Sequence, residues 1–170
     1  MAANKKPRKR YVPKFNAANP LKLVSNNNSP LTDEEKNRIL LAVHSAMHAL
    51  THGTGERRDW DIITGSLNMA VVLDELTFLR AYNTLFDLAM QCHQQCAYRL
   101  QKHGKFGYSA TELEAVNTAI VYHEAQLDQI TFKEFQNALK NVEDRKKRGH
   151  YKYRIKDLHK QGNDQVPVAV

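Results

Sequence analysis

Three histidines, His44, His48 and His52, stand at i, i+4 and i+8. On a helix such a row drifts by only about 40° per step, so the three rings share one stripe. Helical histidines at this spacing could supply part of a zinc site, which takes about four ligands. No second ligand cluster is fixed by spacing, and the H-E-x-x-H pattern of helical zinc proteases is absent. The stripe falls roughly opposite Ile39, Val43 and Leu50, so a solvated or partner-facing histidine face is the simpler expectation. No metal or other cofactor is expected, and His44, His48 and His52 stay as the alternative ligand set.

Cys92, His93 and Cys96 also have the residue types of a ligand or redox site. Their helical angles place all three on an apolar face, where cysteine is commonly a buried small hydrophobe. His93 and His123 both point towards apolar stripes and read as hydrogen-bonded core histidines rather than bases. Asn68, Asn117 and Glu124 sit beside apolar stripes and could form a buried hydrogen-bonded network. The run Glu56-Arg57-Arg58-Asp59-Trp60-Asp61 opens a helix. Its acids favour the helix dipole, with Trp60 as a core anchor. The alternative is a recognition patch in which Arg57, Arg58 and Trp60 contact a partner. There is no P-loop, no G-x-G-x-x-G, no G-x-S-x-G and no doubled C-x-x-C. The expectation is a non-enzymatic protein.

The strongest functional signal is charge. Residues 1–30 carry seven Lys/Arg and no Asp/Glu; residues 31–140 carry ten and fourteen; residues 141–170 carry eight and four. The net charge of +7 therefore belongs to the two ends, around a mildly acidic middle. The N-terminal cluster is Lys5, Lys6, Arg8, Lys9, Arg10, Tyr11 and Lys14. The C-terminal one is Arg145, Lys146, Lys147, Arg148, Tyr151, Lys152, Tyr153, Arg154 and Lys156. Cations neutralise phosphates, and tyrosines can stack on unpaired bases. A pair of merely solubilising ends is the alternative. No helix-turn-helix or zinc-finger signature accompanies the clusters, so sequence-specific reading of bases is not expected.

The elements that must position these residues read as helices. Thr32 with Glu35, Ser109 with Glu112 and Thr131 with Glu134 each have capping-box spacing, in which side chain and backbone satisfy one another's free groups. The first predicted helix starts at Thr32, carries Ile39, Val43, Ala46, Met47 and Leu50 inward, and is stopped by Gly53. The second follows Thr54-Gly55. It has two apolar stripes, one through Trp60, Ile63, Leu67, Ala70 and Val71 and one through Ile62, Met69, Leu73 and Leu76. A helix apolar on two sides belongs at the centre of a bundle. Gly65 within it could mark a close helix crossing. The third is predicted from Leu76 or Thr77 to His103, with Phe78, Tyr82, Leu85, Phe86, Ala89, Cys92, Cys96 and Leu100 on its stripe. The fourth runs from Ser109 with Leu113, Val116, Ile120, Leu127 and Ile130 inward. A fifth, from Thr131, uses Phe132, Phe135, Leu139 and Val142.

The chain has 170 residues and 42% apolar content. That suits an all-α protein with one compact bundle of four to five helices over residues 31–147, a basic extended arm over 1–30 and a basic-aromatic tail over 148–170. Two prolines and charge repulsion disfavour helix in its segment Lys5 to Lys14. No apolar run approaches the ~20 residues that cross a bilayer, and no apolar segment follows the charged N-terminus as a secretory signal requires. Two cysteines four positions apart suit a reducing compartment. No membrane partner is expected.

Arg10-Tyr11-Val12-Pro13-Lys14, Gly53-Thr54-Gly55-Glu56-Arg57-Arg58-Asp59-Trp60, Leu67-Asn68-Met69-Ala70 and Glu114-Ala115-Val116-Asn117-Thr118 together span most of residues 8–140. In these segments the chain resembles short helical accessory proteins of tailed phages and prophages of proteobacteria; the tail beyond Lys147 departs from the pattern. The resemblance implies the cytoplasm of a bacterial host, no catalytic residues, and a binding protein that modulates or inhibits a host nucleic-acid machine, with an anti-CRISPR or other anti-defence role. The implied partner is a host protein or ribonucleoprotein complex, with nucleic acid engaged through the basic arms. Two other expectations stand beside it: an assembly protein forming a homo-oligomer, and a metal-dependent enzyme using the His44, His48 and His52 stripe.

Overall fold

The computed structural model describes residues 28–149, and these form five helices: α1 Asp33–Thr51, α2 Arg57–Leu76, α3 Asn83–His103, α4 Ala110–Gln129 and α5 Phe132–Arg148. The described residues contain no strand; one isolated bridge joins Pro30 to Thr131, and the Phe132 N–H donates to the Ser29 carbonyl at 2.9 Å. That contact ties the approach to α1 to the start of α5.

All three expected capping boxes are present, at Thr32–Glu35, Ser109–Glu112 and Thr131–Glu134. Each satisfies two backbone N–H groups that a helix start otherwise leaves unpaired. The first helix ends just before Gly53, which adopts a left-handed φ of 72° that glycine takes without steric cost. Gly55 is needed for a different reason: a Cβ there would lie 2.6 Å from the Leu50 side chain and 2.9 Å from the Leu50 Cα.

α2 packs against all four other helices, the central position its two stripes predict. Its first stripe enters a core with Val43, Ala46, Met47 and Leu50 of α1, Phe86, Ala89, Met90 and Cys96 of α3, and Val116, Ala119 and Ile120 of α4. Of its second stripe, Met69 and Leu73 enter, with Val72, a smaller core with Leu31, Leu127, Ile130 and Ala138, flanked by Phe78, Phe132, Phe135 and Val142, whereas Ile62 packs on the first core and Leu76 is exposed. α5 rests chiefly on α2 and closes this second core. Each fully buried side chain such as Phe86, Leu50 or Ile63 contributes about 1.5–3 kcal/mol of burial.

Three expectations are corrected. The third helix begins at Asn83, not at Leu76 or Thr77, because residues 77–82 form a turn with left-handed φ at Leu79 (54°) and Arg80 (64°). The buried carboxylate of Asp74 holds this turn, accepting the Tyr82 N–H at 3.1 and 3.2 Å, while the Asp74 carbonyl accepts the Arg80 N–H at 2.8 Å. Phe78 thus joins the second core from the turn, and Tyr82 stays exposed against Tyr122 of α4, ring centroids 4.9 Å apart. Gly65 marks no crossing: it is exposed, and a Cβ there would meet nothing within 4 Å. Leu139 of α5 points outward, at 42% exposure, instead of into the core.

Candidate functional site

Of the expected binding residues, Lys5, Lys6, Arg8, Lys9, Arg10, Tyr11 and Lys14, with Tyr151, Lys152, Tyr153, Arg154 and Lys156, lie outside the described residues. Arg145, Lys146, Lys147 and Arg148 form the last turn of α5, where positive charge complements the helix dipole. Arg145 is half-buried and pairs with Glu75 of α2. Lys147 stands 3.9 Å from Asp144, and Lys146, Lys147 and Arg148 are exposed. Three of the four therefore face solvent, and one is spent joining α5 to α2.

The patch at the start of α2 divides in the same way. Trp60 is 6% exposed, and its indole N–H donates to the His93 carbonyl at 3.1 Å. It is a core anchor and has no face for a partner. The Arg57 guanidinium lies 5.4 Å from the Trp60 ring centroid and bonds Asp61 at 3.1 Å, so it covers the ring. Arg58 is exposed and has no ion pair with a described residue.

The histidine stripe faces outward as its phase predicts, but it does not converge. His44 is drawn to α4, its Nε2 2.8 Å from Glu124 Oε1. His48 and His52 stack on each other with centroids 4.0 Å apart, and His52 Nδ1 lies 2.8 Å from the His48 carbonyl. No three His, Cys, Asp or Glu side chains among the described residues are grouped to hold a metal ion. The metal-enzyme alternative thus finds no ligand set in His44, His48 and His52.

Cys96 and His93 are fully buried, and Cys92 is half-buried. The Thr64 hydroxyl donates to the Trp60 carbonyl at 2.9 Å, leaving its oxygen to accept from His93 Nε2–H at 3.0 Å; Nε2 is also 3.1 Å from the Trp60 carbonyl. His93 Nδ1 then accepts the Tyr108 O–H at 2.5 Å. A neutral imidazole satisfies every one of these contacts. Burial, against the weaker opposing pull of the Trp60 carbonyl, lowers its pKa to about 4. Burial likewise pushes the Cys96 thiol up to about 11 and raises Cys92, so neither thiol is poised as a nucleophile. His123 is held by Gln126 Oε1 at 3.2 Å, Gln126 Nε2 donates to the Ala70 carbonyl at 3.3 Å, and burial lowers His123 to about 4.

The expected network of Asn68, Asn117 and Glu124 does not form. Asn68 donates back to the Thr64 carbonyl at 2.9 Å, Asn117 is exposed, and Glu124 meets His44. The buried polar cluster is instead Trp60, Thr64, His93 and Tyr108. Thr64 follows Trp60 by one helical turn, a spacing that could have signalled its place. Tyr108 comes from the loop before α4, which no helical period reaches.

At the end of the bundle where α1 and α3 finish, the loops before α2 and α4 meet around a cleft of about 370 Å³. It is lined by Gly53, Thr54, Gly55, Glu56, Arg57, Leu100, Gly104, Lys105 and Phe106. None of the helices among the described residues is long and apolar enough to cross a membrane. No protein-family model matches this chain, and neither does any curated protein or solved structure with which it was compared.

Proposed function

We propose that this chain is a non-enzymatic, phage-type binding protein that modulates or inhibits a host nucleic-acid machine, in an anti-CRISPR or other anti-defence role. Its basic segments engage nucleic acid or an acidic surface, and its helical body supplies a specific protein contact. One observation carries this reading: cations are concentrated at the ends, seven without a single Asp or Glu in residues 1–30, around a middle with fourteen acids and ten cations. Such a distribution attracts polyanions through the summed field, whatever the fold. The solvent-facing Lys146, Lys147 and Arg148 support it, since they extend the basic tail onto the folded body. The resemblance to phage accessory proteins supplies the biological setting.

The test is capture of partners from bacterial lysate on the immobilised full chain, with and without nuclease. A discrete protein set that survives nuclease, together with bound nucleic acid that does not, is the expected result. Recovery of nothing above background in both arms contradicts it.

Self-association is a second reading, favoured by the exposed apolar side chains Leu79 (90%), Leu41 (70%) and Val121 (61%). The second stripe of α2 cannot serve it, because Met69 and Leu73 are buried in the protein's own fold. Sedimentation equilibrium at high concentration checks it; a strict monomer removes it.

A further inference from the structure

The turn between α2 and α3 displays the most exposed large apolar side chain of the described residues, Leu79, at 90% exposure. Leu79 and Arg80 are also the described residues other than glycine that adopt a left-handed φ, 54° and 64°. An L side chain crowds its own backbone in that region, whereas glycine does not. The turn is held from one side by Asp74, whose carboxylate accepts the Tyr82 N–H and whose carbonyl accepts the Arg80 N–H. From the other side it is held by Phe78, packed on the second core. The Leu79 side chain itself packs on almost nothing, so the fold gains nothing from a leucine where glycine would fit without strain. A strained residue that its own fold does not use points to a use outside that fold. The anchored turn also presents the leucine with little freedom left to lose on binding.

A groove on the same protein is the complement of this knob. It follows the first half of α4, has a volume of about 500 Å³ and is lined by Ala110, Leu113, Glu114, Asn117, Thr118 and Val121. Leu113 is half-buried and Val121 is 61% exposed, so apolar surface lies open there. Glu114 is the one charged residue of the lining; it is exposed and makes no ion pair with a described residue. Arg80, next to Leu79, is likewise exposed and in no ion pair with a described residue. A leucine followed by a cation therefore matches an apolar groove that carries one carboxylate. Leu79 is not seated in its own molecule's groove, since it stays 90% exposed. Tyr82, which closes the turn, packs on Tyr122, the residue after Val121. Turn and groove thus lie beside the same helix, and a two-fold pair of copies can make the contact twice.

We propose that this chain pairs with a second copy of itself by seating Leu79 of one copy in the α4 groove of the other, with Arg80 against Glu114. The inference rests on the self-association reading above and assigns it a surface. Leu79 is the anchor, because its apolar side chain leaves water on entering the groove. The Arg80–Glu114 pair sets orientation more than strength, as solvent-facing ion pairs do. Leu41 of α1, although 70% exposed, takes no part.

The experiment measures the association constant of the full chain, purified free of nucleic acid, by sedimentation equilibrium. The natural chain is compared with Leu79→Gly, Leu41→Ala, Arg80→Glu and Glu114→Arg. Leu79→Gly is expected to weaken association by about tenfold or more. The same variant is expected to raise the denaturant midpoint at concentrations where the natural chain is monomeric, because glycine relieves the turn; loss of association then cannot come from loss of fold. Leu41→Ala is expected to stay within about twofold of the natural chain. Arg80→Glu and Glu114→Arg are each expected to weaken association by about fivefold. An equimolar mixture of those two variants is expected to return to the natural constant, since each copy then meets the opposite charge on the other. If the natural chain associates but Leu79→Gly associates as tightly, or mixing rescues nothing, the contact is overturned and self-association through another surface stands. A natural chain that is strictly monomeric at high concentration overturns both.

Discussion

At the scale of single residues, the polar interior is arranged for stability. Trp60, Thr64, His93 and Tyr108 close on each other with both His93 ring nitrogens satisfied in the neutral form. His93 and His123 both have pKa values near 4 in the fold, against an ordinary 6.5. Between those values the unfolded chain binds more protons than the folded one, so stability rises with pH through that window and is lost as pH falls from about 6.5 to 4. Urea melts at pH 7 and pH 4.5 should show a loss of a few kcal/mol, and the His93→Gln/His123→Gln pair should flatten the dependence, even if it lowers stability overall. The glycines give a matched contrast. Gly65 faces open space on a helix, so Gly65→Ala should stabilise by about 0.5–1 kcal/mol. Gly55→Ala should destabilise by about 1–3 kcal/mol, because its Cβ would meet Leu50 backbone as well as side chain. Thermal or urea unfolding of the two variants checks both signs. The sequence places Gly55 before a helix and Gly65 within one, but only the neighbours in the fold decide what an added Cβ meets at each.

At the scale of elements, most of the bundle is legible in local pattern. Capping boxes of the Ser/Thr–Glu type mark three of the five helix starts, and two stripes on α2 predict its central place. These signals are short-range, with partners three or four residues apart, so the sequence displays them directly. The turn at 77–82 is hidden for the opposite reason. Apolar residues continue through Phe78, Leu79 and Tyr82 at spacings a helix could use, while the turn is imposed by Asp74, a lone carboxylate inside an apolar stripe. Two consecutive left-handed residues that are not glycine cost about 1–2 kcal/mol each. Leu79 is 90% exposed, so its truncation sacrifices little packing. Leu79→Gly should therefore raise stability by about 1 kcal/mol, measured by denaturant unfolding; a decrease would show that this side chain is packed after all.

At the scale of the whole molecule, the sequence sets a mildly acidic middle between two strongly basic ends. The fold class follows from helical period and caps. The cleft does not, because Arg57 and Lys105 belong to separate segments and their spacing in sequence carries no period. Conversely, the segments with the clearest functional signature in the sequence, Lys5 to Lys14 and Tyr151 to Lys156, lie outside the described residues, so their role rests on composition and charge. In sequence Trp60 is open to two readings, a core anchor or, beside Arg57 and Arg58, a contact residue; its burial favours the first.

Binding to a labelled oligonucleotide, followed against salt for the full chain and for a chain lacking residues 1–14, tests the charge-based account most directly. Those residues hold six of the seven cations in residues 1–30. The account predicts weaker binding and a shallower slope after deletion, by about 0.7 for each single-strand phosphate that is no longer neutralised. Identical affinity and slope in the two chains, or no binding by either, would contradict it.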